Sequence, residues 1–392
     1  MKTKVIKYGG TSIGNIKNLK KTAKNIKKYI NKKPNIKLII VVSAMSGITN
    51  RLIDLYNKIN YKTNSYLYDY VISTGERITS GILCSLIKKE KIKCSLINEK
   101  EFPIITNNKF GNAKIKNIKK KIIKKKLKKY KAIIINGFQG ISKKNKKITT
   151  LGRGGSDNTA ISIANKMKCK CILFKDVKGI YPIDPKIKKT NKYKKVNYIS
   201  LLENVSSGSK IIQIDSLINC IKYKTKLYIV NNLSKKNNLK KQMKNSTKIK
   251  YKLKKYKFQK FLNLKETNIF KIKYKKKLLY KFIKNIEKEN KNIENIEIGK
   301  LLLFTYENKK EIKKNIKKYK FKIKKISKIK MITIIGLGIN KYLSNIYKLI
   351  KKLIKNNINI LKINTMETKI IILTKFKNKK KLIKILSNYL NI

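Results

Sequence analysis

The chain has 392 residues and not one histidine, and its 19 acidic residues face 101 basic ones. Lack of imidazole excludes histidine-based nucleophile triads, histidine general bases, histidine metal ligands and phosphohistidine chemistry. Any chemistry must use Lys, Asp, Glu, Ser, Thr or backbone amides. The five cysteines, Cys84, Cys94, Cys169, Cys171 and Cys220, are odd in number, scattered and without a CxxC spacing. They support neither a disulfide framework nor a zinc site. Cys169 and Cys171 alternate with Lys in a strand-like run and read as small packing residues. No apolar run approaches the ~20 residues that cross a bilayer, and the N-terminal MKTKVIKYGG has no apolar signal core. A soluble, cytoplasmic chain with no membrane partner is expected.

Arginine is scarce too. Of the basic residues 98 are Lys and three are Arg, in a background rich in Ile and Asn. Lys, Ile, Asn and Tyr are the residues toward which a strongly AT-rich genome drifts, and exposed positions drift first because substitutions there usually cost within about ±0.5 kcal/mol. The net charge of +82 suggests a nucleic-acid binder, but 50 basic and 11 acidic residues lie in 1–215 against 51 and 8 in 216–392. Charge so evenly spread forms no patch, and no specific nucleic-acid partner is expected. The residues that resist drift are more informative. Arg51, Arg77 and Arg153 all lie in the first 153 residues, Asp157, Asp176 and Asp184 lie within 28 residues of one another, and fourteen of 17 glycines occur by Gly208. Chemistry is expected in residues 1–215.

The length exceeds the roughly 250–300 residues at which one core stops growing, so more than one domain is expected. Apolar runs at Val5–Tyr8, Leu38–Val42, Ala132–Ile135, Cys171–Phe174 and Leu227–Val230 predict strands. Ile16–Tyr29, Gly75–Lys89, Asp157–Lys166 and Lys210–Ile221 predict helices. Such alternation implies a mostly parallel sheet covered on both faces, which binds ligands at the carboxyl ends of its strands. A Lys-rich stretch from 235 to 261 reads as a linker. Beyond it a βαββα order occurs twice, predicting two small α+β modules at 262–330 and 331–392 after a catalytic domain at 1–234.

Five motifs carry candidate chemistry. Lys7-Tyr8-Gly9-Gly10-Thr11-Ser12-Ile13-Gly14 joins a strand to a helix, where glycine amides and a helix N-terminus suit phosphate, though a plain turn would also explain it. It is not a Walker A loop, since Asn15 and Ile16 stand where Lys and Ser/Thr are required. Ser43–Asn50 sets small hydroxyl residues between a strand and a helix. In Ser73-Thr74-Gly75-Glu76-Arg77, Glu76 is a lone carboxylate that reads equally as a helix N-terminal acid. Thr149–Ala160 gathers Gly152, Arg153, Gly154, Gly155, Ser156 and Asp157 before a helix, and the planar fork of Arg153 suits a carboxylate or phosphate better than Lys does. Phe174–Lys186, with Lys175, Asp176, Gly179 and Asp184-Pro185, reads as a rigid nucleotide wall or as a common Asp-Pro turn.

The order and spacing of KYGGTS, VVSAMSGITN, STGER, GFQG, TTLGRGGSDNTA and KDVKGIYPIDPK strongly resemble the aspartokinases, members of the amino-acid kinase family, over about residues 4–232. The repeated modules resemble that family's pair of ACT regulatory modules. The resemblance implies a three-layer αβα amino-acid kinase domain with a mostly parallel central sheet. It further implies phosphorylation of the L-aspartate side chain by ATP, Mg²⁺ carried by the ATP phosphates without dedicated protein ligands, and a homodimer through the ACT-like modules. Another amino-acid kinase acting on a different carboxylate is the alternative.

By resemblance, Lys7 with Tyr8, Gly9, Gly10 and Ser12 would hold the transferring phosphate. Ser43, Thr49, Arg153, Gly154, Gly155 and Ser156 would hold aspartate, with Arg153 on its α-carboxylate. Glu76 would take the α-ammonium, helped by Asp157, which would also orient the lysines. Lys175, Asp176, Tyr181, Asp184 and Lys186 would line the nucleotide, and Lys210, in Ser207-Gly208-Ser209-Lys210, would be a second phosphate lysine. The chain departs from the family at Lys178, usually an acid, at Lys186, usually Arg, and at Gln213-Ile214, usually His-Pro. The first module carries no glycine across Lys271–Lys277, so weakened feedback by lysine or threonine is expected.

Overall fold

The computed structural model describes residues 2–59, 63–97, 101–209, 211–231, 239–251, 259–288, 293–299, 301–306, 309–336, 339 and 343–392. They fall into two compact units, Met1–Tyr181 with Asn191–Phe258, and Pro182–Thr190 with Gln259–Ile392.

The first unit is built on an eight-stranded sheet in the order Lys195–Asn197, Thr247–Lys250, Leu227–Asn231, Lys170–Lys175, Lys2–Tyr8, Ile36–Val42, Ala132–Asn136, Cys94–Leu96. Every neighbouring pair is parallel except Leu227–Asn231 with Thr247–Lys250. Strand side chains alternate between faces. The even-numbered Ile6, Tyr8, Leu38, Ile40, Ile134 and Phe174 share one core with Leu19, Ala23 and Ile26 of the helix Ile16–Asn31 and with Leu83 and Ile87 of the helix Thr74–Lys89. The odd-numbered Val5, Ile39, Val41, Ile133 and Ile135 are equally buried on the opposite face, where the helix Gly155–Lys166 packs against Lys2–Tyr8 and Lys170–Lys175. These two helix layers around one sheet give the three-layer architecture. A smaller sheet, in the order Ile115–Ile118, Ile104–Thr106, Gln139–Ser142, Ile148–Thr150, was not expected from the sequence.

Part of the stretch expected as a linker is instead regular structure. Leu239–Lys244 is helical, and Thr247–Lys250 enters the large sheet between two other strands. Buried Thr247 and Ile249 alternate there with lysines, so composition hid the strand. Pro182–Thr190 also differs from the expected boundaries by grouping with the second unit, where Ile183 bridges Leu262.

The second unit repeats βαββα twice in one antiparallel sheet, ordered Glu294–Ile298, Leu302–Tyr306, Phe261–Lys273, Lys322–Ile335, Lys369–Thr374, Ile360–Met366. Its helices are Lys276–Lys288, Lys309–Lys318, Leu343–Lys355 and Lys379–Leu390. The first strands of the two modules pair with each other from Phe261↔Ile335 to Lys273↔Lys322. One core gathers Phe270, Phe282, Phe304 and Phe321, and the other Ile332, Ile334, Leu349, Leu353 and Leu386.

Candidate active site

Parallel register brings Tyr8, Val42 and Phe174 level, with Asn136 beside Val42, so the loops that follow these four residues leave from one edge. The chain passes from the central strand Lys2–Tyr8 outward in one direction to Ile36–Val42, while Lys170–Lys175 lies on its other side. A cavity of about 810 Å³ opens at this edge, walled by Lys7, Gly9–Thr11, Ser43–Gly47, Thr49, Glu76, Gly152–Asp157 and Lys175–Asp176.

Strand periodicity decides which side chains meet there. Lys7 and Lys175, both odd-numbered, face the helix Gly155–Lys166 and reach Asp157 in its first turn. Lys7 Nζ lies 2.8 Å from Asp157 Oδ1, and Lys175 pairs with Oδ2. Burial pushes the Asp157 carboxyl up, but the two ammonium groups outweigh it and hold the group down at about 2. Burial lowers Lys7 despite Asp157. Two lysines on one ionised carboxylate leave one formal positive charge at the cavity wall.

Glu76 is 3% exposed. Its Oε1 accepts from the Ala44 N–H at 3.0 Å, while Oε2 is buried with no hydrogen-bond partner among the described residues. Burial pushes its carboxyl up to about 7, against the pull of the Ala44 N–H and the Lys7 charge. Thr79, one turn further along the same helix, accepts from the Met45 N–H at 3.2 Å and so ties the Ser43–Gly47 loop to it. Gly10 lets these loops close up, since a Cβ there would stand 2.9 Å from the Ala44 carbonyl oxygen.

Arg153 is exposed, lines the cavity, and pairs with no protein group among the described residues. The next residue, Gly154, has φ +72 and lies so close to Gln213 that a Cβ would meet its Cγ at 2.1 Å. Gly154 is the N-cap of the Gly155–Lys166 helix, so Gly155 and Ser156 present the positive end of that helix to the cavity.

Of the residues singled out from the sequence, Lys7, Gly9, Gly10, Ser43, Thr49, Glu76, Arg153, Gly154, Gly155, Ser156, Asp157, Lys175 and Asp176 line this cavity together. Tyr8 is a correction. Its even position turns the ring into the opposite core, where it stacks on Phe174 at 4.7 Å. Ser12 is likewise only 1% exposed, inside the short helix Gly10–Ile13, and does not reach the cavity. Tyr181, Asp184 and Lys186 are not part of its wall, and Asp184 and Lys186 group with the second unit. Lys210 lies outside the described residues. Thr79 and Gln213 were missed as supports of the site, because a Thr inside a helix and a Gln before one carry no sequence signal of their own. Among the described residues no helix is long and apolar enough to cross a membrane.

The profile of the amino acid kinase family matches residues 2–231. The aspartokinase of Rickettsia felis is 33% identical over 393 residues, covering 94% of either chain. The aspartate kinase of Pseudomonas putida is 33% identical over 228 residues, 58% of this chain and 55% of that relative. Among solved structures, E. coli aspartokinase III in complex with aspartate and ADP matches with a TM-score of 0.76 at 16% identity, covering all of both chains. Clostridium acetobutylicum aspartate kinase matches with a TM-score of 0.70 at 19% identity, also over both whole chains. These two likenesses concern the fold.

Proposed function

The chain belongs to the amino acid kinase family and within it to the aspartokinases, and from that premise we propose that it phosphorylates the side-chain carboxylate of L-aspartate with ATP, giving 4-phospho-L-aspartate. That product would begin the biosynthesis of lysine, threonine and methionine. One observation carries the reading: Lys7 and Lys175 share the single carboxylate of Asp157 at the carboxyl edge of a parallel sheet.

A carboxylate oxygen attacks the γ-phosphorus as the bond to ADP breaks, and no proton need be removed from the nucleophile. Phosphoryl transfer of this kind asks for alignment and charge compensation. A site without histidine can supply both. The Lys7 and Lys175 ammonium groups offset charge on the transferring phosphoryl, with Asp157 fixing their separation. The Gly9 and Gly10 amides add donors where no side chain intrudes. Arg153, unpaired among the described residues, takes the aspartate α-carboxylate as a planar fork. The free Oε2 of Glu76 takes the α-ammonium, and Thr49 and Ser156 bind the carboxylates further. The donor set suits a magnesium nucleotide: Mg²⁺ would be carried by the ATP phosphates and shield their charge, without a dedicated protein ligand.

The second unit extends the proposal to a homodimer formed through its ACT-like modules, with feedback weakened where Lys271–Lys277 lacks glycine. Gly336 lies among the described residues and Gly338 outside them. Sedimentation of the purified chain tests the dimer, and strong inhibition by micromolar lysine or threonine would overturn the weakened feedback. The activity itself is tested by aspartate-dependent ADP release with ATP and Mg²⁺, alongside Lys7→Ala and Arg153→Ala. No aspartate-dependent turnover, or full activity in both variants, would defeat the reading.

A further inference from the structure

Asp69 stands in the helix Tyr66–Ile72 with none of its surface exposed. A carboxylate so placed is costly unless its oxygens find donors. Both oxygens lie 3.0 Å from the Gly111 N–H, Oδ2 accepts from the Thr150 N–H at 2.8 Å, and Oδ1 accepts from Thr150 Oγ1 at 2.7 Å. Burial pushes its carboxyl up, and these same donors pull it back.

The partners matter more than their number. Tyr68 and Ile72, on the same helix, line the cavity, as does Gly111, yet Asp69 itself does not. Thr150 ends the strand that leads, three residues later, to Arg153. Its carbonyl is also taken, by the Ala113 N–H at 2.8 Å, so both its backbone polar groups and its hydroxyl are fixed. Gly152 follows against the same turn, its Cβ position 3.3 Å from the Gly111 carbonyl oxygen. Three separate segments of the cavity wall thus converge on one buried carboxylate.

We propose that Asp69 is a positioning residue for the aspartate pocket: it locks the root of the Arg153 loop to the helix Tyr66–Ile72 and the Gly111 turn, and so sets where the guanidinium meets the substrate carboxylate. The inference rests on the reading that Arg153 binds that carboxylate. Asp69 touches no reacting atom and acts through Thr150. Replacement by Asn keeps the shape but puts an NH₂ group against N–H donors, which loosens the root of the loop.

The test is a double-mutant cycle on the full chain, with Asp69→Asn, Arg153→Ala and their combination assayed at varied aspartate and at varied ATP. Asp69→Asn is expected to raise KM for aspartate about tenfold while KM for ATP stays within about twofold. In the Arg153→Ala background the same change is expected to have less than about a twofold effect, because the group being positioned is gone. Equal rises in both KM values, or full additivity in the double variant, would overturn the inference. If Asp69→Asn does not fold, Thr150→Val removes only the hydroxyl donor, and the same non-additivity with Arg153→Ala decides. An Arg153→Ala variant with unchanged KM for aspartate would instead sink the underlying assignment of Arg153.

Discussion

Lys7 Nζ and Asp157 Oδ1 are 2.8 Å apart with side chains only 8% and 4% exposed, and the second Asp157 oxygen holds Lys175. The pair joins the central strand to the start of a helix on one sheet face. The three groups together carry one net positive charge at the cavity wall.

Lys7→Ala is therefore expected to lower kcat by about 10²–10³, the loss typical when a preorganised charge-stabilising donor is removed. Asp157→Asn leaves the buried Lys7 ammonium and the partly exposed Lys175 ammonium without their counter-charge and is expected to destabilise the fold by about 3 kcal/mol. Steady-state kinetics checks the first and urea unfolding the second.

Glu76 links stability to pH. Its carboxyl titrates near 7 in the fold against an ordinary 4.5. Below pH 4.5 folded and unfolded chains both hold the proton; between 4.5 and 7 only the folded chain does, so this contribution is lost as pH rises through 7. The loss should amount to roughly 3 kcal/mol without ligand. Urea unfolding at pH 5 and pH 8 should show that slope in the native chain and a flatter one in Glu76→Gln. Binding of an ammonium favours the ionised form, so KM for aspartate should fall as pH rises through 7, and Glu76→Gln should abolish that dependence.

Among the described residues Arg153 has no structural partner to lose. Arg153→Ala is expected to leave unfolding unchanged within about 0.5 kcal/mol and to raise KM for aspartate about 10–100-fold. Arg153→Lys should fall between the two, since a point charge replaces the fork. A large stability loss in Arg153→Ala would contradict its exposed, unpaired setting.

At Gly154 two costs can be separated. Any side chain there meets a left-handed φ of +72 and the body of Gln213. Gly154→Ala should lower kcat/KM for aspartate at least about tenfold. Adding Gln213→Ala should recover part of this, leaving roughly 1–2 kcal/mol of backbone cost that no neighbour can relieve. Kinetics and unfolding of the single and double variants give the two terms.

Much of the site was legible because a few Arg, Asp, Glu and Gly residues stand out in a lysine-rich sequence. Arg153, Asp157, Glu76 and the glycine loops stood out against a uniform background and do meet at one sheet edge. Tyr8 misled because adjacency in a motif is not adjacency in space: a one-residue step along a strand turns the side chain to the other face. Asp69 gave no signal, since its partners are two backbone N–H groups and a hydroxyl 42 and 81 residues away. In the second unit the βαββα order was readable, but the boundary expected at 331 cuts a strand: the modules' first strands run over Phe261–Lys273 and Lys322–Ile335. Their solvent-facing lysines interrupt the apolar pattern, and only pairing with each other extends them.

That pairing makes each module the other's shield. Phe261–Lys273 and Lys322–Ile335 meet along nearly their whole length. Cut the chain between them, and the first would offer a long row of unsatisfied N–H and C=O groups to any passing strand. A shortened chain ending near residue 320 is therefore expected to be less a smaller protein than a sticky one, and loss of the last 70 or so residues should register first in the insoluble fraction.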